Sequence, residues 1–292
     1  MMEIIKFFRN GVHTTNQRLK MVVYLWLVNF LFSLLIVMPI YYLFDKTFSR
    51  SLASDYLVEG MGFLWLGDII YKYQDFYPAL IGWIIFPGIL FLFLSLYLEG
   101  GVIGRIAAAD EKVDLGNFFG DCGKYFFRFF RVFLISCLGY LIVFGIIFMI
   151  ISALFRLWTK NASTEWPLIL SSNLKFLIMV LLFSLIRMFF DYVKVRLVAE
   201  KSKKTIKATL LNFSFIGKRF FRAWLLYLLV GLVTIILAVV YLALYQPLPK
   251  LGFLLVIAFI WQQAYIFSKM WTKVLFFSTE YRFFIHYRTS QG

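Results

Sequence analysis

The chain has 292 residues, 62% of them hydrophobic and only 15% charged, with a formal net charge of +15. A soluble chain of this length needs far more polar surface, which excludes an ordinary globular protein. The positive charge would suit nucleic acid, but it lies at the ends of apolar segments, where it meets anionic head groups, and no nucleic-acid-binding motif accompanies it.

Six apolar segments follow in chain order, roughly 21–44, 77–98, 132–155, 174–193, 223–246 and 252–275. Each has about 20 residues or more, enough to cross ~30 Å of hydrocarbon at ~1.5 Å per residue. The third, Val132–Phe155, and the fifth, Ala223–Gln246, contain no charge at all. The first is too long for a signal peptide and has no small-x-small site before Asp45, so it is expected to be a retained anchor. Pro39 and Pro87-Gly88 fall inside spans one and two and are expected to bend them. Between those spans, 45–76 is long and locally acidic, yet Phe63–Leu66, Ile69, Ile70 and Tyr73 are too apolar for free loop. A short interfacial helix within 60–73, capping the bundle, is expected. Cys122 and Cys137 form no disulfide framework, and the sequon at Asn161 is a chance match.

Orientation follows from Lys and Arg in the connections. The N-terminal tail, the second and fourth connections and the C-terminal stretch hold 22 of the 30 basic residues; the outward connections hold 6. Both termini are therefore expected in the cytoplasm. Gly123-Lys124-Tyr125-Phe126-Phe127-Arg128 leads into span three, and Gly217-Lys218-Arg219-Phe220-Phe221-Arg222 leads into span five, with five of six positions identical. Lys6-Phe7-Phe8-Arg9 repeats the centre of the motif. The simplest reading is three successive hairpins. Each lead segment is expected to lie on the membrane, rings in the interface and cations at head groups, before turning in. A docking surface for a partner is the alternative.

Charge inside spans is the best pointer to function. It lies on the returning spans: Glu99 on span two; Arg187, Asp191 and Lys194 on span four; Gln262, Lys269, Lys273 and Glu280 on span six. The last four share one helical stripe at ~3.6 residues per turn. The three acids occupy similar places in the three hairpins, so a polar cluster is expected in the cytoplasmic half. Asp191 is expected between Arg187 and a lysine of span six. The cluster reads either as an ion-pair lock or as a vestibule for a charged head group or ion.

Catalysis finds little support. His13 and His286 have no metal-ligand spacing, and no HExxH, Gly-x-Ser-x-Gly or Walker loop occurs. Asp110–Asp114 is expected to be a helix end and turn.

Asp114-Leu115-Gly116-Asn117-Phe118-Phe119 and Lys207-Ala208-Thr209-Leu210-Leu211-Asn212-Phe213 precede the two basic-aromatic segments. This layout, over about 100–245, resembles the six-span membrane domain attached to bacterial glycerophosphodiester phosphodiesterases, and related stand-alone bacterial membrane proteins. The catalytic barrel of those enzymes has no counterpart here, so no enzymatic residue carries over. The resemblance implies a bacterial inner-membrane bundle with an envelope or lipid connection.

The expectation is therefore an all-α integral membrane protein. Residues 1–292 form one six-transmembrane-helix bundle of three repeated hairpins, N-in and C-in. It would be non-enzymatic, with no catalytic, cofactor or metal site, serving envelope or lipid homeostasis or acting as a partner subunit. A small permease for a charged or amphiphilic solute is the alternative. Expected partners are membrane lipids, including anionic head groups at the basic ends, and a second membrane protein; nucleic acid is not one.

Overall fold

The computed structural model describes residues 2–48, 77–108, 113–160, 164–246 and 253–289. All regular structure among them is helical: α1 (Met2–Gln17), α2 (Leu19–Phe48), α3 (Tyr77–Ala107), α4 (Leu115–Tyr140), a π-helical stretch (Leu141–Ile147), α5 (Phe148–Thr159), α6 (Trp166–Ala199), α7 (Thr205–Tyr245) and α8 (Phe253–Thr289). α4, the π stretch and α5 run on as one rod. Six helices among the described residues are long and apolar enough to cross a membrane, the build of an integral membrane protein. The expected helix within 60–73, most of the Asp110–Asp114 cluster and the sequon at Asn161 lie outside the described residues.

The helices outrun the apolar segments that mark them. α7 has 41 residues and α8 has 37. At ~1.5 Å per residue both exceed ~30 Å of hydrocarbon by a wide margin. The basic-aromatic lead segments are helical and continuous with the spans they precede, and the second stands at a bend. Gly123–Arg128 sits inside α4 and continues into the span. Gly217–Arg222 sits inside α7, whose backbone leaves helical geometry at Arg219 (φ −133°, ψ 23°). The α4 lead buries Phe118, Asp121, Cys122, Tyr125 and Phe129 against protein. A helix keeps its backbone paired in water and in lipid alike, so nothing forces it to stop at the boundary.

Two compact units divide the chain: Met1–Val23 with Leu96–Gly292, and Tyr24–Ser95. In the smaller unit α2 and α3 bring the rings of Phe32 and Phe91 within 5.3 Å. The larger unit holds the densest packing at its basic end, where Tyr192, Phe118, Phe129, Phe283, Phe284 and Leu197 are fully buried. Leu138, Leu141, Ile142, Ile150 and Leu177, farther along the spans, are exposed. Lipid tails are as apolar as leucine, so no hydrophobic force drives helices together in the hydrocarbon. At the wet end, each Å² of apolar surface removed from water stabilises by about 25 cal/mol.

Two packing devices close that end. α1 docks rather than trailing as a tail. Phe7 meets Phe283 edge-on at 5.5 Å, Thr15 Oγ1 donates to Ser278 Oγ at 3.3 Å, and Arg282 Nη2 donates to Thr14 Oγ1 at 3.2 Å. The end of α3 meets α4 through Gly100, Gly101 and Gly104. A Cβ on Gly104 would lie 2.7 Å from Asp121 Oδ2, and one on Gly101 2.5 Å from Cys122 Sγ and 2.9 Å from the Phe118 carbonyl. This close approach lets buried Arg105 donate through Nε to Asp121 Oδ2 at 2.6 Å. Gly101→Val is expected to destabilise the protein by about 1–3 kcal/mol through overpacking. Gly120→Ala, where an added Cβ meets nothing within 4 Å, is expected to be neutral or slightly stabilising. Thermal unfolding in detergent compares the two; equal midpoints would remove the packing role of the glycine face.

Candidate polar cluster between the returning helices

Glu99 immediately precedes Gly100–Gly104, on the same return helix that packs against α4. Its carboxylate receives two lysines from two other helices. Lys194 Nζ of α6 donates to Oε2 at 2.9 Å, and Lys273 Nζ of α8 stands 3.1 Å from Oε1. Lys194 also donates to Asp191 Oδ1 at 3.2 Å, one turn back on its own helix. Arg187 Nε completes the row 3.9 Å from Asp191 Oδ2. The Glu99, Asp191 and Lys194 side chains are only 12%, 9% and 13% exposed, so solvent screens these pairs little. Arg187 is half exposed and its long contact with Asp191 is weak.

The eight expected residues are not treated alike. Glu99, Arg187, Asp191, Lys194 and Lys273 come together. Gln262 and Lys269 do not: both are exposed, and the Lys269 ammonium lies 5.9 Å from the Tyr265 ring. All four residues of the expected stripe lie on α8. The difference lies along the axis, because α8 is packed from about Thr272 onward and open before it. The expected partner of Asp191 is also corrected. It pairs with Lys194 and Arg187 of its own helix, and the α8 lysine goes to Glu99.

Glu280 is the outlier. It is 1% exposed, and neither carboxylate oxygen has a hydrogen-bond partner. Asp191, Lys194, Arg187 and Glu99 all lie near enough to act on it electrostatically. Tyr192, itself fully buried, feels its charge in turn. Among the described residues no three His, Cys, Asp or Glu side chains gather as a metal ion would require.

Sequence reasoning missed the buried Arg105–Asp121 pair, although Gly100-x-x-x-Gly104 is the signal for a close helix crossing. It also missed a second constellation at the kink of α7. Lys218, Arg219, Arg222 and Tyr287 surround a hollow of about 570 Å³. On the adjoining side of α7, an apolar hollow of about 360 Å³ is walled by Gly139, Val143, Ile186, Phe189 and Phe213, with Gly217 and Phe220 lining both. The π stretch supplies Val143 to this wall, and its extra residue per turn is the irregularity that often accompanies functional sites.

Compared with family models, curated proteins and solved structures, the chain finds no match.

The network carries a stability prediction. Lys194→Met takes the cation shared by Glu99 and Asp191, leaving them only Lys273 and the long Arg187 contact, and is expected to cost about 3–5 kcal/mol. Lys269→Met, on the exposed stretch, is expected to stay within about 0.5 kcal/mol of the parent. Glu99→Gln with Lys273→Met should cost less than the two single changes summed, with a coupling of about 0.5–3 kcal/mol. Denaturant unfolding in mixed micelles measures all of these. A silent Lys194→Met with an additive double variant would show the pairs to be incidental.

Proposed function

We propose that this chain is a non-enzymatic, multi-pass protein of the bacterial inner membrane, serving envelope or lipid homeostasis through contacts with lipid and with a second membrane protein. The observation that carries this reading is the mutual pairing of the charges within the helices. Glu99, Lys194, Asp191 and Lys273 are paired with one another, as in a helix lock. Nucleophile, base or metal ligands converging on an empty space would be the mark of an enzyme. The resemblance to the six-span domain of the phosphodiesterases points the same way.

The membrane orientation belongs to the same proposal. The 22-to-6 split of basic residues favours both termini, 99–131 and 194–222 in the cytoplasm, with 45–76 and 156–173 outside. Cysteines introduced singly at positions 55 and 204 test it: an impermeant maleimide on intact cells is expected to label the first and spare the second. The reverse pattern overturns the orientation. Depleting the protein in its native host is expected to alter envelope phospholipid composition and raise sensitivity to detergent. Full depletion without either change overturns the homeostasis reading.

One observation favours a permease as the second reading, and it is Glu280. A buried carboxyl with both oxygens unpaired costs about 1–3 kcal/mol per unmet group unless a cation or proton joins it. Groups of this kind mark proton relays in membranes. On this reading, proteoliposomes loaded with the pH dye pyranine dissipate a proton gradient, and Glu280→Gln abolishes the dissipation. Absence of dissipation with the parent protein ends the permease reading.

A further inference from the structure

We infer that the kink of α7 builds a site for one anionic phospholipid, with the head group in the basic hollow and an acyl chain in the apolar one. The inference deepens the lipid reading above by naming a ligand class and the residues that hold it.

The two hollows differ in chemistry and share a wall. The basic one is lined by Lys218, Arg219, Arg222 and Tyr287. The other is lined by apolar side chains and glycine. Gly217 and Phe220, one turn apart on α7, belong to both. A ligand filling them together must be charged at one end and oily at the other. Hollows of ~300–1,000 Å³ are the usual size for such ligands, and both fall within that range.

The charge favours an anion. Three cations line the basic hollow, and one carboxylate opposes them. Glu3 Oε2 lies 3.6 Å from Arg222 Nη1 and accepts from the Tyr287 hydroxyl at 3.1 Å. Two positive charges remain in excess. Arg219 is held in place without being used up: its guanidinium lies 4.8 Å from the Tyr287 ring and 5.1 Å from the Phe215 ring, and its Nη1 has no hydrogen-bond partner. Arg222 Nη1 donates to the same Tyr287 hydroxyl at 2.9 Å. A planar fork with spare donors beside a lysine suits a phosphodiester, because its oxygens accept paired bonds.

The depth is right for a head group. Arg222 is the last charged residue on α7, and none follows until Lys250. The site therefore stands where polar surface gives way to hydrocarbon. There each basic residue contributes attraction to anionic lipid. Space is left open at the junction, since a Cβ added to Gly217 would meet nothing within 4 Å.

The full-length protein, stripped with detergent, tests the site by thermal shift and native mass spectrometry. Dioctanoyl phosphatidylglycerol is expected to raise the melting temperature and to be retained as a single adduct. Dioctanoyl phosphatidylcholine and inorganic phosphate are not, the one lacking net charge and the other the tail. Lys218→Gln with Arg222→Gln is expected to weaken phosphatidylglycerol binding about thirtyfold. Gly217→Leu, adding bulk where a Cβ meets nothing within 4 Å, is expected to do the same while leaving the ligand-free melting temperature unchanged. Equal shifts with phosphatidylcholine and phosphatidylglycerol, a full effect of phosphate alone, or undiminished binding by both variants overturns the site. If the variants lose the lipid yet restore depleted cells, the site stands and the homeostasis reading falls. If they keep it, the site falls whatever the cells do.

Discussion

The structure hangs on a carboxylate shared by two lysines. Glu99 of α3 is contacted by Lys194 of α6 and Lys273 of α8, so one acid joins three helices. A charge inside a membrane bundle is costly alone and becomes directional glue when paired, because few other geometries satisfy it. The cluster is formally balanced, with Glu99, Asp191 and Glu280 against Arg187, Lys194 and Lys273. Glu280 sits fully buried without a direct partner, and the four charges that act on it, Asp191 and Glu99 against Lys194 and Arg187, cancel formally. Replacing such a network by apolar residues can be neutral or stabilising in soluble proteins, so its value here lies in fixing which faces meet.

From that joint outward, two solvents divide the work. Toward the basic end, water makes apolar burial favourable, and α1, α4, α6, α7 and α8 close around Phe283, Phe284, Tyr192 and Phe129. In the other direction the helices enter lipid, where exposed leucine costs nothing. Contact there rests on single interactions, such as the Trp261 indole N–H donating to the Tyr241 carbonyl at 3.3 Å and the stacked Tyr241 and Tyr265 rings at 4.3 Å. A bundle of this kind is anchored at one end and adjustable along the rest.

The spans were legible because hydrocarbon thickness imposes length and composition on them directly. The cluster was half legible. Helical periodicity assigns Gln262, Lys269, Lys273 and Glu280 to one angle, but how far packing extends along α8 depends on the other helices. That set Lys273 and Glu280 apart from the other two. The partner of Asp191 was misassigned for a related reason. Lys194 is a turn away on the same helix and needs no tertiary contact to reach it, which leaves Glu99 for the α8 lysine. Arg105 and Asp121 escaped notice because each looks like an ordinary juxtamembrane charge, and only the glycine face between α3 and α4 brings them together.

The two basic-aromatic hexapeptides show how much one position decides. They differ only where Tyr125 stands in the first and Arg219 in the second. Tyr125 is buried, and its ring draws both cations of its own motif, Lys124 and Arg128, each 5.2 Å from the centroid. In that copy the ring is inside, both cations lie over it, Arg128 also donates to the Ser202 carbonyl at 3.2 Å, and the helix is unbroken. With arginine at the same place, no ring fills the core position. The guanidinium must borrow the rings of Phe215 and Tyr287 from outside the motif, and the helix leaves regular geometry at that residue. Lys218 and Arg222 have no such ring within the motif: Arg222 turns to Tyr287, donating to its hydroxyl and lying 6.0 Å from its ring, and both cations line the hollow. The same sequence pattern thus yields a closed packing element in α4 and an open cationic hollow in α7. The hollow is a property of Arg219 in its setting rather than of basic-aromatic segments in general.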